Sequence, residues 1–281
     1  MEAIVVDKFI DKRTDPVNLT VYGDLHEDSR MCNIKKLHEH MNHRAKLKNA
    51  MFVGIGDMSD WILPSDKRYT PSNTRIDAIH PGYDDLIDRE IMRQAEFYKK
   101  FPWAVLGMGN HCLKPLKVHY TNPAERLAQI LGCKYGGYSG FLRIRIRQKG
   151  KMKNYVSSDI VGSVTILYHH GAWGGRVIKG FGGARDWGRA HEGWDVLCYG
   201  HSHQTVVHQE VRKMMTHRGN IVDKDVYIVN CGTFYSGVAD GGPPSYAERG
   251  GFPPVSVGAP LITITPCEQS IPHISISVGD C

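Results

Sequence analysis

The sequence predicts a layered α/β protein whose main strands are buried on both faces. Three observations lead there. Unbroken apolar runs of four or five residues recur along the chain, as strands covered on both sides require. Helical stripes alternate with the early runs. Each run then closes on a break of glycine and ligand-type polar residues, which falls at the carboxyl end of its strand, the edge where open α/β sheets bind ligands.

Taken in order, Leu19–Tyr22 leads to Gly23-Asp24-Leu25-His26, and Ala50–Val53 leads through Gly54-Ile55-Gly56 to Asp57. Trp103–Leu106 leads to Gly109-Asn110-His111, Val164–Tyr168 to His169-His170-Gly171, and Val196–Tyr199 to Gly200-His201-Ser202-His203. Ile34, Leu37, Met41 and Ala45 mark one helical stripe, and Ile87, Ile91, Ala95 and Tyr98 another. Asp84 and Asp85 open the second, Lys99 and Lys100 close it, and Pro102 follows, as the helix dipole favours. Asn122-Pro123-Ala124-Glu125 reads as an N-cap, a proline at N1 and a glutamate at N3, with Gly132 past the end. From about Tyr138 strands dominate. Phe141–Arg147 alternates strictly, as a half-exposed strand does, and Val226–Val229 and Leu261–Thr265 read as further strands.

The chain has 281 residues, 41% of them hydrophobic, which is ordinary globular material. No stretch reaches the ~20 apolar residues that span a bilayer, so no membrane partner is expected. The N-terminus lacks a basic region and a long apolar core, as a signal peptide would need. The seven cysteines are odd in number and scattered, with no Cys-x-x-Cys pair, which suits reduced thiols in a cytoplasmic protein. No linker divides the chain, and candidate ligands run from residue 24 to residue 203, so residues 1–281 are expected to form one domain. A Gly/Pro-rich segment at about 236–260 is too long for a plain connection and reads as a lid or mobile loop.

The breaks carry the chemistry. Singly, each histidine among them reads as a hydrogen-bonded core or surface residue. Jointly, oxygen and imidazole donors from five strand ends point to a site for two metal ions. Asp57 can bridge two cations through its two oxygens. Asn110 offers a neutral oxygen. His111 beside it is placed to protonate a leaving oxygen, and Asp60 to orient His111 and raise its pKa. Of the adjacent His169 and His170, only one can face the metals, whereas His201 and His203 can reach the same side.

The blocks Gly-Asp-x-His, Gly-Asp-x-x-Asp, Gly-Asn-His, His-Gly and Gly-His-x-His, in that order over residues 23 to about 203, resemble the calcineurin-like metallophosphoesterases. The resemblance implies a four-layer α/β/β/α sandwich of two mixed sheets with the metal site at the strand C-terminal ends. It also implies Asp24, His26, Asp57 and His203 around one ion, Asp57, Asn110, His170 and His201 around the other, and His111 as the catalytic histidine with Asp60 as its partner. Trp61 stands where the phosphoprotein phosphatase branch has Arg, and Cys112 where many members have Glu or Asp, and both argue against a Ser/Thr protein phosphatase.

The expected function is therefore a metal-dependent hydrolase of phosphoric esters, in which water or hydroxide held by two divalent ions attacks phosphorus. The mixed donor set suits Mn, Fe, Zn or Ni, with Mn favoured. Net charge is +6, and Arg143, Arg145 and Arg147 share one strand face ahead of Lys149, Lys151 and Lys153. That balance favours a phosphodiesterase or nuclease, possible nucleic acid included, over a phosphomonoesterase. The same strand also reads as a solvated edge defended by charge. Glycines at 171–183 would let backbone approach a phosphate that Arg176 or Lys179 neutralises. The alternative is a non-catalytic scaffold on the same fold, which would have no need of a complete ligand set.

Overall fold

The computed structural model describes residues 1–64, 66–69, 85–150, 159–173, 180–215, 219–237, 246–267 and 272–278. Strands β1 (Glu2–Ile10) through β12 (His273–Ser277) form two mixed six-stranded sheets. In the first, β2 (Val17–Tyr22), β3 (Ala50–Gly54), β4 (Trp103–Leu106) and β5 (Lys134–Tyr135) run parallel, and β11 (Leu261–Thr265) and β12 extend the sheet antiparallel from β2. In the second, β7 (Ile160–His169), β8 (Val196–Tyr199) and β10 (Ile221–Cys231) run parallel. β6 (Ser139–Gln148) and β1 continue it on one side and β9 (Thr205–Met215) on the other, giving the order β1-β6-β7-β8-β10-β9.

The two inner faces share one apolar core that includes Leu19, Val21, Val53 and Val105 from the first sheet and Leu142, Ile144, Ile166 and Val196 from the second. Helices α1 (Ile34–Ala45), α2 (Leu86–Tyr98) and α4 (Pro123–Leu131) cover the outside of the first sheet through Leu37, Met41, Ile91, Tyr98 and Leu127. Helix α5 (Phe181–Arg189) covers part of the outside of the second through Ala184. The layers thus follow the expected order α/β/β/α. The unbroken apolar runs are the covered strands: every residue of β2, β3 and β8 is buried.

Local signals behaved as read at α4. Asn122 accepts from the Glu125 amide, Pro123 opens the helix, and Gly132 ends it at φ +68°. At α2, Asp85 occupies the N-cap but accepts from Arg89 Nε at 2.7 Å instead of capping an amide, and Asp84 lies outside the described residues.

The charged strand needs a correction. β6 is internal, between β1 and β7, and not a solvated edge. Its Leu142, Ile144 and Ile146 enter the core. Arg145 and Arg147 are paired with Asp7, and Arg147 also with Asp159, which is 1% exposed. These two arginines are thus met by two carboxylates, while Arg143 is exposed and donates through Nε to Thr165 Oγ1 at 3.2 Å. Lys151 and Lys153 lie outside the described residues.

Candidate metal centre

All five breaks fall where the parallel strands of both sheets end. Past β2 and β3 the ladder continues as loop-to-loop bonds, Asp24 N to Gly56 O at 3.1 Å, His26 N to Asp57 O at 3.1 Å and Glu27 N to Met58 O at 3.0 Å. Past β7 and β8 it continues as Gly200 N to His170 O at 2.9 Å. These bonds fix the side chains between them.

The backbone is bent hard to aim the donors. Asp24, His26, Asp57, His201 and His203 all have φ between +46° and +69°, a region that non-glycine residues visit at a cost of about 1–3 kcal/mol. Gly56 has φ +117°, and a Cβ there would lie 2.6 Å from both Gly109 N and His170 Nδ1. The glycine of this block is therefore required twice, for its dihedral and for the close approach of two other blocks.

The predicted metal ligands gather in two neighbouring groups, and His26 also shares a third with Asp60 and His111. Asp24, His26 and His203 offer donor atoms within 4.8 Å of one another, and so do Asp57, His170 and His201. Asn110 joins the second group, with Oδ1 2.9 Å from His170 Nε2 and 2.8 Å from His201 Nδ1. In the first, His26 Nε2 and His203 Nε2 approach to 3.1 Å and Asp24 Oδ1 lies 3.7 Å from His203 Nε2. Asp57 belongs to the second group: Oδ2 is 3.0 Å from His170 Nε2, and Oδ1 accepts from the His111 amide at 3.0 Å.

This donor set fits divalent metal binding. Asp24 Oδ1 is buried with no hydrogen-bond partner, an arrangement that costs about 1–3 kcal/mol unless a cation takes it up. His170 Nδ1 sits 3.1 Å from Ile55 O, so its N–H is directed there. That leaves the Nε2 lone pair facing the oxygens of Asp57 and Asn110, which have only lone pairs of their own to offer. Three such atoms aimed at one point need positive charge between them.

Electrostatics show the same demand. Burial alone would push the Asp57 carboxyl up, yet His170, and more weakly His111 and His26, hold it far below its usual range. Burial likewise opposes charge on His170, and Asp57 overrides it and pushes this imidazole up. Burial would also lower His26, but Asp60 raises it to about 9 through charge and a hydrogen bond. Asp24 is raised, chiefly by burial, with Asp57 adding repulsion.

The structure separates the adjacent histidines. His170 is in the second group, while His169 turns to the other face between Trp173 and Trp187 and accepts from Gly171 N at 2.8 Å. Burial, helped by His170, lowers its pKa to about 4.

Asp60 has two partners. Its carboxylate lies 2.6 Å from His26 Nδ1, and its backbone carbonyl accepts from His111 Nδ1 at 2.6 Å. The carboxylate is farther from His111, at 3.5 Å. The expected Asp60–His111 partnership therefore runs mainly through the main chain, and the carboxylate serves His26 first. A carboxylate behind a histidine whose other nitrogen faces a metal fixes tautomer and ring orientation.

Several residues escaped the sequence reading. Asp28 accepts from the amides of Asp60 at 2.6 Å and Trp61 at 3.3 Å, holding that turn. Thr233 Oγ1 donates to Asp24 O at 2.6 Å, and the Tyr235 ring stands 5.6 Å from His26 and 5.7 Å from His203. Asn230-Cys231-Gly232-Thr233 follows the apolar run Val226–Val229, so the run-then-break signal was present a sixth time. Cys112 is buried and pushed up to about 12 by that burial, which makes it an inert thiol. Arg176, Lys179 and most of the 236–245 stretch lie outside the described residues.

No protein-family model matches this chain, and no curated protein does. Solved structures do. A metallophosphoesterase from Sphaerobacter thermophilus is 11% identical over 94% of this chain and 89% of its own, with a TM-score of 0.36. The calcineurin-like phosphoesterase YfkN from Bacillus subtilis is 12% identical over 94% and 90%, at 0.40. Vacuolar Protein Sorting 29 from Cryptosporidium parvum is 13% identical over 95% and 100%, at 0.35. At such scores the overlap carries no weight for chemistry, which rests on the site itself.

Proposed function

We propose that this protein is a dinuclear metal-dependent phosphoesterase. The observation that carries the reading is the convergence of seven donor side chains, from five strand ends in two sheets, into two adjoining groups. Asp24, His26 and His203 would hold one ion, and Asp57, Asn110, His170 and His201 the other. Two divalent cations there, Mn favoured, would neutralise a phosphoryl group and make a water nucleophilic near neutral pH.

The chain's own residues do the rest. His111 is anchored through Nδ1 to Asp60 O, which leaves Nε2 to carry a proton to the leaving oxygen. Asp57 Oδ1 accepts the His111 amide and so ties that proton carrier to the second group. Asp60 holds His26, and the bonds from Asp28 hold Asp60. His201 is exposed and His203 partly so, which opens the centre to substrate on the imidazole side.

Within this class a phosphodiester is favoured over a monoester. Arg145 and Arg147 are met by Asp7 and Asp159 and lend that choice little support; the basic groups near His111 support it. Among the described residues no helix is long and apolar enough to cross a membrane. The test is purified protein with added Mn assayed on bis-p-nitrophenyl phosphate, single-stranded DNA and p-nitrophenyl phosphate, alongside metal analysis. Hydrolysis with two ions per chain is expected; no turnover on any of the three sinks the enzymatic reading.

A further inference from the structure

Residues 61–64 and 66–69, after Asp60, stay close to the element that carries His111. They curl back through three tight bonds, Leu63 N to Trp61 O at 3.1 Å, Asp66 N to Leu63 O at 2.8 Å and Tyr69 N to Asp66 O at 2.8 Å. Asp66, only 4% exposed at its side chain, then receives two cations. Arg68 forks onto it, Nε at 3.2 Å and Nη2 at 2.9 Å, and Lys114 Nζ lies 3.1 Å away.

Lys114 comes three residues after His111, in the first turn of helix α3 (Leu113–His119), and Lys117 comes three residues further. Residues three apart share a helix face, so His111, Lys114 and Lys117 form one row with steps of roughly 4–5 Å. Asp66 therefore pins the curl to the helix that carries His111 and places Arg68 on the same rim. Arg68 is held above its usual range first by its bonds to Asp66, and more weakly by the charges of Asp60 and Asp57.

One buried carboxylate faces two cations, Arg68 is 51% exposed and Lys114 29%, and Lys117 is exposed on the next turn. The guanidinium keeps donors beyond those spent on Asp66, in the planar fork that suits phosphate.

We infer that Arg68, Lys114 and Lys117 form a subsite for a second phosphate of the substrate, next to the scissile one on the His111 side, as in a nucleic-acid strand. This rests on the phosphoesterase reading and deepens it. A substrate with a single phosphate cannot use the subsite, whereas one with neighbouring phosphates gains from each cation it meets.

The experiment uses end-labelled oligothymidylate and bis-p-nitrophenyl phosphate with wild type, Arg68→Ala, Arg68→Lys and Lys114→Ala. In Arg68→Ala and Lys114→Ala, the ratio of kcat/KM for the oligonucleotide to that for the single-phosphate diester should fall about tenfold, with Arg68→Lys between. Fluorescence anisotropy on metal-free protein should show weaker oligonucleotide binding, with the slope of log affinity against log salt smaller by ~0.7 for each cation removed. An unchanged ratio with both activities falling together would mean a structural staple and overturn the subsite. Unchanged anisotropy would overturn it too. If wild type cleaves neither substrate, the phosphoesterase reading fails while the anisotropy arm still decides the subsite.

Discussion

Two strand edges face each other across the centre, and they differ in kind. The edge from β2, β3 and β4 brings the oxygens of Asp24, Asp57 and Asn110, with Asp24 and Asp57 at 0% and 1% exposure. The edge from β7 and β8 brings imidazoles, of which His170 is buried, His203 partly exposed and His201 exposed. His26 is the imidazole that this edge adds to the two donor groups, and His111, outside them, follows β4 on the same edge as His26. Buried carboxylates carry charge that water cannot reach, so they create the need for cations. Imidazoles can stay neutral and tolerate solvent, so they complete the coordination without creating that need. The centre exists only where the two sheets pack together.

The largest effect should therefore come from the oxygen edge. Asp57→Asn keeps the size of the side chain but removes its charge, its balance with His170 and one anionic donor. Metal content of the second group should be lost, and hydrolysis of bis-p-nitrophenyl phosphate should fall on the order of 10³-fold or more. His201→Ala, which removes an exposed neutral donor, should keep more metal. Equal metal loss in the two variants, measured by elemental analysis, would break the contrast between the edges.

His111→Ala should come next. It lies outside both donor groups as a proton carrier, so turnover should fall about 10²–10⁴-fold with metal content retained. Loss of metal in parallel with turnover would move His111 from proton transfer to coordination.

Asp60→Asn sharpens the comparison on the oxygen edge itself. The carboxylate sits against His26 and the carbonyl against His111, and the substitution changes only the first contact. Metal affinity should drop about 10–100-fold, as for other partners behind a ligating histidine, with a smaller change in kcat at saturating metal. A fall in kcat alone, with affinity intact, would return the carboxylate to His111.

How much of this could be read from the sequence follows the same division. The oxygen and imidazole blocks were legible because buried parallel strands leave unbroken apolar runs and each run ended in a ligand break. The layer order came from resemblance, and the sheets bear it out. What escaped was whatever the chain signals through pairing and not through burial. β9 is exposed or half-exposed throughout and forms because it pairs residue by residue with β10, Ile221 opposite Met215. α5 carries no apolar stripe that reads as a helix, and its Gly188 packs against the sheet, where a Cβ would come 2.7 Å from Leu197 Cδ2. Arg145 and Arg147 of β6 read as part of a free basic face because their partners, Asp7 and Asp159, are distant in sequence or beyond an unpatterned stretch.

The smallest effect tests whether the site depends on the helical layer at all. Asn122 caps α4 on the outside of the first sheet and also donates to Tyr135 Oη at 2.7 Å. Asn122→Ala should cost about 1 kcal/mol through the lost cap, a shift of about 2–4 °C in Tm by calorimetry. The strand ends that aim the donors are joined to one another by their own backbone bonds, Asp24 to Gly56 and His26 to Asp57, and not through α4. Metal content and kcat should therefore match wild type well below Tm. A loss of metal in this variant would show that the oxygen edge takes its shape from the helices covering it, and the preference for Asp57 over His201 would then measure packing as much as charge.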